Sequence, residues 1–296
     1  MDRRTFLWAS GCAVVATAAA AAAEPDRIAP KRFGPEFRRA VAAVEQASGG
    51  RLGLAIIDTG SGERFGRRGA ERFPMCSTFK FALAGLILKQ VERKRETLAR
   101  PIPVAAADIV ANSPFCEARV GGSASIAELC HATITVSDNS AANLLLRTIG
   151  GPSGFTRWLR SVGDPATRLD RWETEMGEAR PRDVRDTTTP VAMAGLARRL
   201  LLGNALAPAG RAQLTGWMKD TRTSRNSLRA GLPAGWTVAD KTGAGGYGTD
   251  NLVAMVWPPR RAPLVVASYI TGSTLEFEKR RPLHAGIGRA IVTAMG

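Results

Sequence analysis

Strand patterns occur only near the two ends of this chain of 296 residues, and helical patterns fill the stretch between them. Near the start, apolar residues at helical spacing predict a helix over 35–48, and a glycine-bounded apolar run predicts a strand over 52–57. A glycine-rich turn then leads to a second predicted strand near Arg64. The C-terminal part predicts strands over 237–240, 252–257 and 264–270 and a closing helix marked by Leu283, Ile287 and Ile291.

The middle of the chain has few strand patterns and many helical ones. A sheet assembled from both ends with a helical insertion explains this order. We therefore predict an α+β fold with a mixed sheet flanked by helices and an active site at the seam. The predicted sheet domain comprises 24–67 and 219–296, and the inserted all-helical domain comprises 68–218. Helices are predicted over 77–94, 126–133, 140–149, 154–161, 190–202 and 211–218.

The first residues, 1–23, are typical of a cleavable signal peptide. Arg3 and Arg4 precede an apolar, alanine-rich run that ends before Glu24, which resembles a twin-arginine export signal. An uncleaved anchor is disfavoured because a membrane span needs about 20 apolar residues. Lipidation is disfavoured because Cys12 precedes most of the apolar run. We predict export to a bacterial periplasm or beyond, with no membrane contact after cleavage.

The chain is strongly basic, with a formal net charge of +15. Nucleic-acid binding would need basic residues gathered in one patch with aromatic or groove-reading side chains. Here the arginines are scattered through amphipathic stretches. The charge therefore favours solubility, or attraction to anionic envelope components, over a nucleic-acid partner.

Removal of the signal would leave Cys76, Cys116 and Cys130, an odd number in an oxidising compartment. At least one thiol would stay free or pair outside the chain, and Cys116 with Cys130 is the more economical bridge. The only histidines, His131 and His284, lie in no recognisable catalytic or metal-binding pair. We therefore predict neither a cysteine nucleophile nor a zinc site.

Ser77 and Lys80 are spaced to share one face at the start of a predicted helix, because residues three apart are neighbours on a helix surface. A serine hydroxyl needs a base to become a nucleophile, and a lysine whose charge is disfavoured by burial can act as that base. The helix N-terminus also favours developing negative charge. An isolated pair of this kind is more often a capping serine followed by a surface lysine.

Two further motifs accompany this pair. They are Ser137–Asn139, with the sequence Ser-Asp-Asn, and Lys241–Gly243, with the sequence Lys-Thr-Gly. In this order and spacing, the three motifs resemble the signature of class A β-lactamases and penicillin-binding proteins. The combination therefore favours catalysis by Ser77 over a capping role.

The segment 168–186 separates these two families. It closely resembles the Ω-loop of class A β-lactamases, in which the residue matching Glu173 holds the water that hydrolyses the acyl-enzyme. Arg171 and Asp186 resemble the ion pair that closes the neck of that loop. The resemblance covers nearly all of the chain after the signal. It implies a class A serine β-lactamase with the β-lactamase/transpeptidase-like fold.

The resemblance also implies a role for each matching residue. Ser77 is the acylated nucleophile, and its base is either Lys80 or Glu173 acting through a water. Ser137 relays a proton to the departing ring nitrogen. No metal or organic cofactor is implied. The implied substrate-binding residues are Asn139 for the side-chain amide, Lys241, Thr242 and Gly243 on the carboxylate-binding strand, Ala244, whose N–H joins that of Ser77 in an oxyanion hole, and Arg281.

Several positions depart from the family pattern. Gly177 stands where many members have an asparagine that helps to hold the hydrolytic water, and Asn112 replaces the aromatic residue usual at the cleft rim. Asp250 occupies the site of the family's supporting arginine for the carboxylate, and Arg281 is the candidate replacement. Arg281 could equally be a solvated helix charge beside Arg280.

These observations predict that the chain hydrolyses the β-lactam amide of penicillins and cephalosporins and confers resistance to them. Its expected partner is the small-molecule substrate alone, bound by a monomer, and carbapenem hydrolysis is left open. The nearest competing hypothesis is a penicillin-binding D,D-peptidase, which would keep a stable acyl ester. A β-lactam-sensing module and a nucleic-acid binder are two further hypotheses. Measured turnover of an antibiotic would separate a β-lactamase from all three.

Overall fold

The fold is built from strands at both ends of the chain and helices between them. The computed structural model describes residues 32–296, so the predicted signal peptide, 1–23, and Cys12 lie outside the described residues. The strands are β1 (Arg51–Asp58), β2 (Arg64–Arg67), β3 (Phe73–Pro74), β4 (Pro101–Pro103), β5 (Ser123–Ser125), β6 (Thr187–Thr188), β7 (Thr237–Gly245), β8 (Thr249–Trp257) and β9 (Leu264–Thr271). The helices are α1 (Pro35–Ser48), α2 (Phe79–Glu92), α3 (Pro114–Glu117), α4 (Ile126–Thr135), α5 (Asn139–Thr148), α6 (Gly151–Ser161), α7 (Pro190–Leu201), α8 (Pro208–Lys219), α9 (Phe277–Arg280) and α10 (Leu283–Met295).

Five of the strands form one sheet in the order β2-β1-β9-β8-β7. Every pairing within it is antiparallel, so the sheet is purely antiparallel and not mixed as predicted. The reason is that β7, β8 and β9 follow one another through short turns, and such turns join antiparallel neighbours. The predicted α+β class, with a sheet assembled from both chain ends, is confirmed.

Both faces of the sheet are buried, so its central strands are apolar along nearly their whole length. In β1, Leu52, Leu54 and Ile56 face the core that contains α1 and α10. Ala55 and Ile57 face the opposite core, which contains the helical region. This alternation follows the two-residue period of a strand. The sheet is therefore a middle layer, and β7, which carries the Lys-Thr-Gly motif, forms one of its edges.

Helix α2 runs through the interior of the helical region. All its residues from Phe79 to Leu88 are buried, because the sequence there is apolar on every side. Ser77 lies in a 3-10 turn, Cys76–Thr78, directly before α2. Lys80, one residue into the helix, is 0% exposed. The fold therefore buries a lysine in the core, three residues after the serine in the sequence.

The predicted helices of the middle region are all present, with ends shifted by three residues at most. The short elements β3 to β6, α3 and α9 are not predicted by the sequence patterns, because segments of two to four residues carry no measurable period. The described residues form one compact unit. The division into a sheet domain and an all-helical domain stays a prediction.

The three cysteines among the described residues are free thiols, so the structure does not contain the bridge between Cys116 and Cys130. Cys116 and Cys130 are both buried, but their surroundings differ. Burial and the neighbouring carboxylate of Asp138 raise the pKa of the Cys116 thiol, whereas burial and Glu96 raise the pKa of the Cys130 thiol. Within residues 32–296, no helix is both long and apolar enough to cross a bilayer.

Candidate active site

The turn that carries Ser77 packs against the edge strand β7. Cys76 has a φ of +44°, in the left-handed region, which turns the chain into α2. The side chain of Asn251 on β8 holds the preceding segment by donating to the carbonyl of Pro74 at 2.8 Å. A Cβ on Gly243 would lie 3.0 Å from the backbone nitrogen of Ser77. Glycine at this position of the Lys-Thr-Gly motif therefore allows β7 to approach the serine turn.

Lys80 lies at the centre of the site and is surrounded by polar partners. Its Nζ lies 3.0 Å from Glu173 Oε1 and donates to Ser137 O at 2.9 Å. It also donates to the side-chain oxygen of Asn139 and, at 3.4 Å, to Ser137 Oγ. Burial lowers the pKa of Lys80, although Glu173 opposes this effect. A lysine in these surroundings can accept and return a proton.

Glu173 lies within reach of both the serine and the lysine. Ser77 Oγ donates to Glu173 Oε1 at 3.4 Å, and the carboxylate is nearly buried. Asn143 on α5 holds the backbone of Glu173 at both groups, accepting from its N–H at 3.0 Å and donating to its carbonyl at 2.9 Å. Asn143 was not predicted from the sequence. The only sequence feature that could have indicated Asn143 is its position four residues after Asn139, which places both on the same helix face.

The neck of the loop 168–186 is closed by the ion pair that the sequence predicted. Arg171 Nε donates to Asp186 Oδ2 at 2.6 Å, and Asp186 is 1% exposed. Asp186 Oδ1 accepts from the backbone N–H groups of Asp170 at 2.7 Å and Arg171 at 3.0 Å. Arg171 makes a second, more exposed pair with Glu178 at 2.8 Å. These contacts fix the base of the loop that carries Glu173.

Ser137 lies between two buried lysines. Lys241 Nζ donates to Ser137 Oγ at 3.0 Å and to the carbonyl of Thr242 at 2.8 Å. Burial lowers the pKa of Lys241 well below its usual value, and the positive charges of Lys80 and Arg281 add to this effect. Because the Ser137 oxygen accepts from both ammonium groups, its own proton is free to be donated.

Asp138 organises the segment between Ser137 and Asn139. It is 0% exposed, and its Oδ1 caps α5 by accepting from the N–H of Ala141 at 2.8 Å. Its Oδ2 accepts from the N–H of Phe115 at 2.8 Å. The aspartate of the Ser-Asp-Asn motif therefore has a structural role, and it orients the two residues on either side of it.

Arg281 lies in the cleft and is not a solvated helix charge. Its side chain is 13% exposed and packs over the ring of Phe277 at 4.7 Å. Nη1 donates to the carbonyl of Thr223 at 2.5 Å, and Nε and Nη2 donate to Asp250 Oδ2 at 3.3 Å. Arg280, by contrast, donates to a backbone carbonyl outside the cleft.

A cavity of about 420 Å³ joins these groups into one cleft. Lys80 and Lys241 lie behind its wall, in contact with Ser137. Gly177 and Asn112, which depart from the family pattern, also line it. The predicted residues that line the cleft are Ser77, Ser137, Asn139, Glu173, Thr242, Gly243, Ala244 and Arg281, and the lining residues that the sequence did not indicate are Val136, Thr174, Thr223 and Phe277.

The polar groups of the cleft suit attack on a carbonyl carbon. The hydroxyl of Ser77 lies beside two groups that can act as bases, the hydroxyl of Ser137 can donate a proton, and the buried Lys241 can attract an anionic group. In the part of the chain that the structure describes, no three His, Cys, Asp or Glu side chains are grouped to hold a metal ion.

Comparison with known proteins shows what this chain is similar to. The model of the β-lactamase enzyme family matches residues 36–295. The chain is 47% identical over 255 residues to β-lactamase AST-1 of Nocardia asteroides, covering 86% of this chain and 82% of the relative. It is 43% identical over 256 residues to β-lactamase CTX-M-8 of Citrobacter amalonaticus, covering 86% and 88%.

Solved structures give the same result. An ancestral class A β-lactamase is 53% identical, with a TM-score of 0.85, covering 86% of this chain and 98% of that chain. A β-lactamase from Xanthomonas campestris is 48% identical, with a TM-score of 0.86, covering 88% and 97%. These values mean that fold and sequence agree over nearly the whole described part of the chain.

The neck of the loop 168–186 gives a first testable prediction. In Asp186→Asn, the amide NH2 would face either the Arg171 guanidinium or the backbone N–H groups of Asp170 and Arg171, and Arg171 would lose its most buried anion and keep only the more exposed Glu178 and Asp183. We expect the free energy of unfolding to fall by about 3 kcal/mol, near the lower end for a broken buried ion pair. Urea denaturation of the purified protein measures this change, and limited proteolysis within the loop reports its loosening.

Glu178→Gln is the matched control, because it removes a partner of the same arginine whose side chain is 37% exposed. An exposed pair contributes at most about 1 kcal/mol, so this variant should unfold nearly as the wild type does. Equal unfolding free energies for Asp186→Asn and the wild type would contradict the anchoring role.

Proposed function

The chain belongs to the class A β-lactamase family, and we propose that it hydrolyses the β-lactam amide of penicillins and cephalosporins through an acyl-enzyme on Ser77. β-Lactam hydrolysis follows from family membership. One observation carries the mechanism. A single carboxylate, Glu173, lies 3.0 Å from Lys80 Nζ and 3.4 Å from Ser77 Oγ.

In the proposed acylation step, Ser77 Oγ attacks the carbonyl carbon of the lactam. The serine proton passes to Glu173, directly or through a water, or to Lys80 in its uncharged form, which burial favours. Ser77 Oγ lies 3.4 Å from Glu173 Oε1, and Lys80 Nζ lies 3.0 Å from the same oxygen. The oxygen of the lactam carbonyl gains negative charge and would accept from the N–H groups of Ser77 and Ala244. Such donors contribute roughly 3 to 4 kcal/mol each in other hydrolases.

Collapse of this intermediate breaks the bond between the carbonyl carbon and the ring nitrogen. Ser137 is the proposed donor to that nitrogen, because its oxygen already accepts from Lys241 and lies 3.4 Å from Lys80 Nζ. Lys80 can then give a proton to Ser137, and where Glu173 took the serine proton, Glu173 passes it to Lys80 and becomes a carboxylate again. The step therefore balances: one proton leaves the nucleophile and one reaches the leaving nitrogen.

In the proposed deacylation step, Glu173 removes a proton from a water that attacks the ester carbonyl. The fixed backbone of Glu173 supports this role, because Asn143 holds it by two hydrogen bonds. Gly177 offers that water no side-chain partner, and a Cβ there would meet nothing within 4 Å. We therefore infer that ester release depends on Glu173 more strongly here than in relatives with an asparagine at this position.

The cleft also suits the remaining groups of a penicillin. Lys241 and Arg281 are cations near the proposed position of the substrate carboxylate, and Thr242 adds a hydroxyl that lies 2.6 Å from Thr223 Oγ1. Asn139 uses one N–H for the carbonyl of Ala111 at 2.8 Å, which leaves one for the substrate side-chain amide.

The role of Glu173 is tested by Glu173→Ala. Acylation should persist, because Lys80 keeps its contacts with Ser137 and Asn139, whereas steady turnover should fall about 100- to 10,000-fold. Intact mass after mixing with a penicillin should show the protein plus one penicillin. The wild type should turn over a chromogenic cephalosporin many times, whereas a D,D-peptidase would give a single stoichiometric burst.

Two controls accompany this variant. Glu175→Ala removes an exposed carboxylate of the same loop and should leave turnover unchanged. Ser77→Ala should show neither adduct nor turnover. Wild-type turnover in Glu173→Ala would rule out the proposed deacylation.

The lowered pKa of Lys241 predicts a fall in activity at alkaline pH. A lysine with a lowered pKa loses its charge earlier as the pH rises, so kcat/KM for a carboxylate-bearing penicillin should decrease on that side. Lys241→Arg keeps its charge throughout and should move the alkaline fall to higher pH. The profile of kcat/KM against pH measures this, with the exposed Lys219→Arg as control. If kcat/KM fell over the same alkaline pH range in the wild type and in Lys241→Arg, the fall would not be due to Lys241.

We also propose export by the twin-arginine route, which rests on Arg3 and Arg4 before the alanine-rich run. Replacement of both arginines by lysine should leave unprocessed precursor in the cytoplasm. Cell fractionation with mass analysis of the retained protein measures this. Processed protein in the periplasm at the wild-type level would exclude this route.

A further inference from the structure

Asp250 and His284 form a buried polar pair behind Arg281 that the proposed reaction does not use. Both side chains are 0% exposed, and Asp250 Oδ1 lies 3.3 Å from His284 Nε2. Asp250 lies on β8 opposite Ala244 of β7, and His284 lies in the first turn of α10. The pair therefore joins the strand next to the cleft to the helix on the far side of the sheet.

A buried carboxylate is unfavourable unless cations and N–H groups compensate it. Asp250 Oδ2 accepts from both Nε and Nη2 of Arg281 at 3.3 Å. Among residues 32–296, its second oxygen has no hydrogen-bond partner and lies 3.3 Å from His284 Nε2. The tautomer of His284 with its proton on Nε2 suits both neighbours, because Nδ1 can then accept from the Ser268 hydroxyl at 3.0 Å.

The hydrogen bonds of Arg281 leave a definite set of donors for a ligand. A guanidinium has five N–H groups. Asp250 takes the Nε donor and one Nη2 donor, and the carbonyl of Thr223 takes one Nη1 donor. One N–H on each terminal nitrogen is left, on a side chain that lines the cleft. Two such donors match the two oxygens of a carboxylate.

We propose that Asp250 and His284 are positioning residues that hold Arg281 in the orientation that binds the substrate carboxylate. The inference rests on the proposed function, because it assigns the support of one substrate group of that reaction. Arginine has a long side chain with several rotatable bonds, so without Asp250 it would have only one hydrogen bond, to Thr223, to fix it. Orientation by such a supporting residue commonly changes binding tenfold or more.

An electrostatic role and a positioning role of Asp250 predict opposite changes in the binding of the substrate carboxylate when Asp250 is replaced. Asp250 reduces the positive potential of Arg281, so a purely electrostatic role would make Asp250→Asn bind the carboxylate more strongly. A positioning role predicts weaker binding, because the guanidinium loses its forked anchor. The sign of the change therefore decides between the two.

The experiment compares kcat/KM for a penicillin and for the methyl ester of its carboxylate. The ratio of the two values isolates the carboxylate contact from folding and from chemistry at the lactam. In Arg281→Ala the ratio should fall at least about tenfold, because both N–H donors are lost and one charge-assisted hydrogen bond alone corresponds to about that factor. Asp250→Asn should lower the ratio in the same direction, and the double variant should fall no further than Arg281→Ala. Arg280→Ala is the matched control and should keep the wild-type ratio.

An unchanged or increased ratio in Asp250→Asn, or additive losses in the double variant, would overturn the proposal. Arg281→Lys gives a second test if Asp250→Asn does not fold, because lysine keeps the charge but lacks the fork. Its ratio should fall as in Arg281→Ala, and a wild-type ratio would again overturn the proposal. His284→Gln should lower the ratio less than Asp250→Asn does, because His284 acts on Arg281 only through Asp250. A larger loss in His284→Gln would contradict this indirect role. Failure of the proposed function looks different, since the wild type would then turn over neither compound.

Discussion

The burial of Lys80 is the constraint on which the arrangement of the site depends. An ammonium group in an apolar helix interior is stable only if anions and carbonyl groups surround it. Here Glu173, Ser137 and Asn139 supply those groups, and they come from a loop, a turn and the start of α5. Burying one side chain of α2 therefore brings together three parts of the chain that lie far apart in the sequence: α2 itself, the segment 137–139 and the loop that carries Glu173. The same loop places Glu173 within 3.4 Å of Ser77 Oγ.

Glu173 can fill this role only because its loop is held at two points. Loops on protein surfaces are usually mobile, and a mobile carboxylate could neither neutralise a buried lysine nor hold a water. The pair of Arg171 and Asp186 closes the neck, and Asn143 holds the backbone at Glu173 itself. The loop is therefore an extension of the folded core, and its stability and the chemistry of the site are linked.

The sequence predicted what is local and missed what is formed across the fold. The helix that follows Ser77 and the apolar runs of the sheet are local patterns, and both predictions agree with the structure. Strand direction is not encoded in an apolar run, so the sheet was predicted as mixed and is antiparallel. Asn143 contacts Glu173, 30 residues away, and His284 contacts Asp250, 34 residues away, and no period in the sequence marks such contacts.

The charges of the cleft are compensated unequally. Lys80 is paired with Glu173, and Arg281 with Asp250, whereas Lys241 makes no ion pair within residues 32–296 and contacts only neutral oxygens. Its pKa is accordingly lowered well below the usual value, by burial and by its two cationic neighbours. A substrate carboxylate would supply the missing anion. The fold therefore keeps one buried lysine under-compensated, and an anionic substrate bound as proposed would remove a cost that the free protein bears.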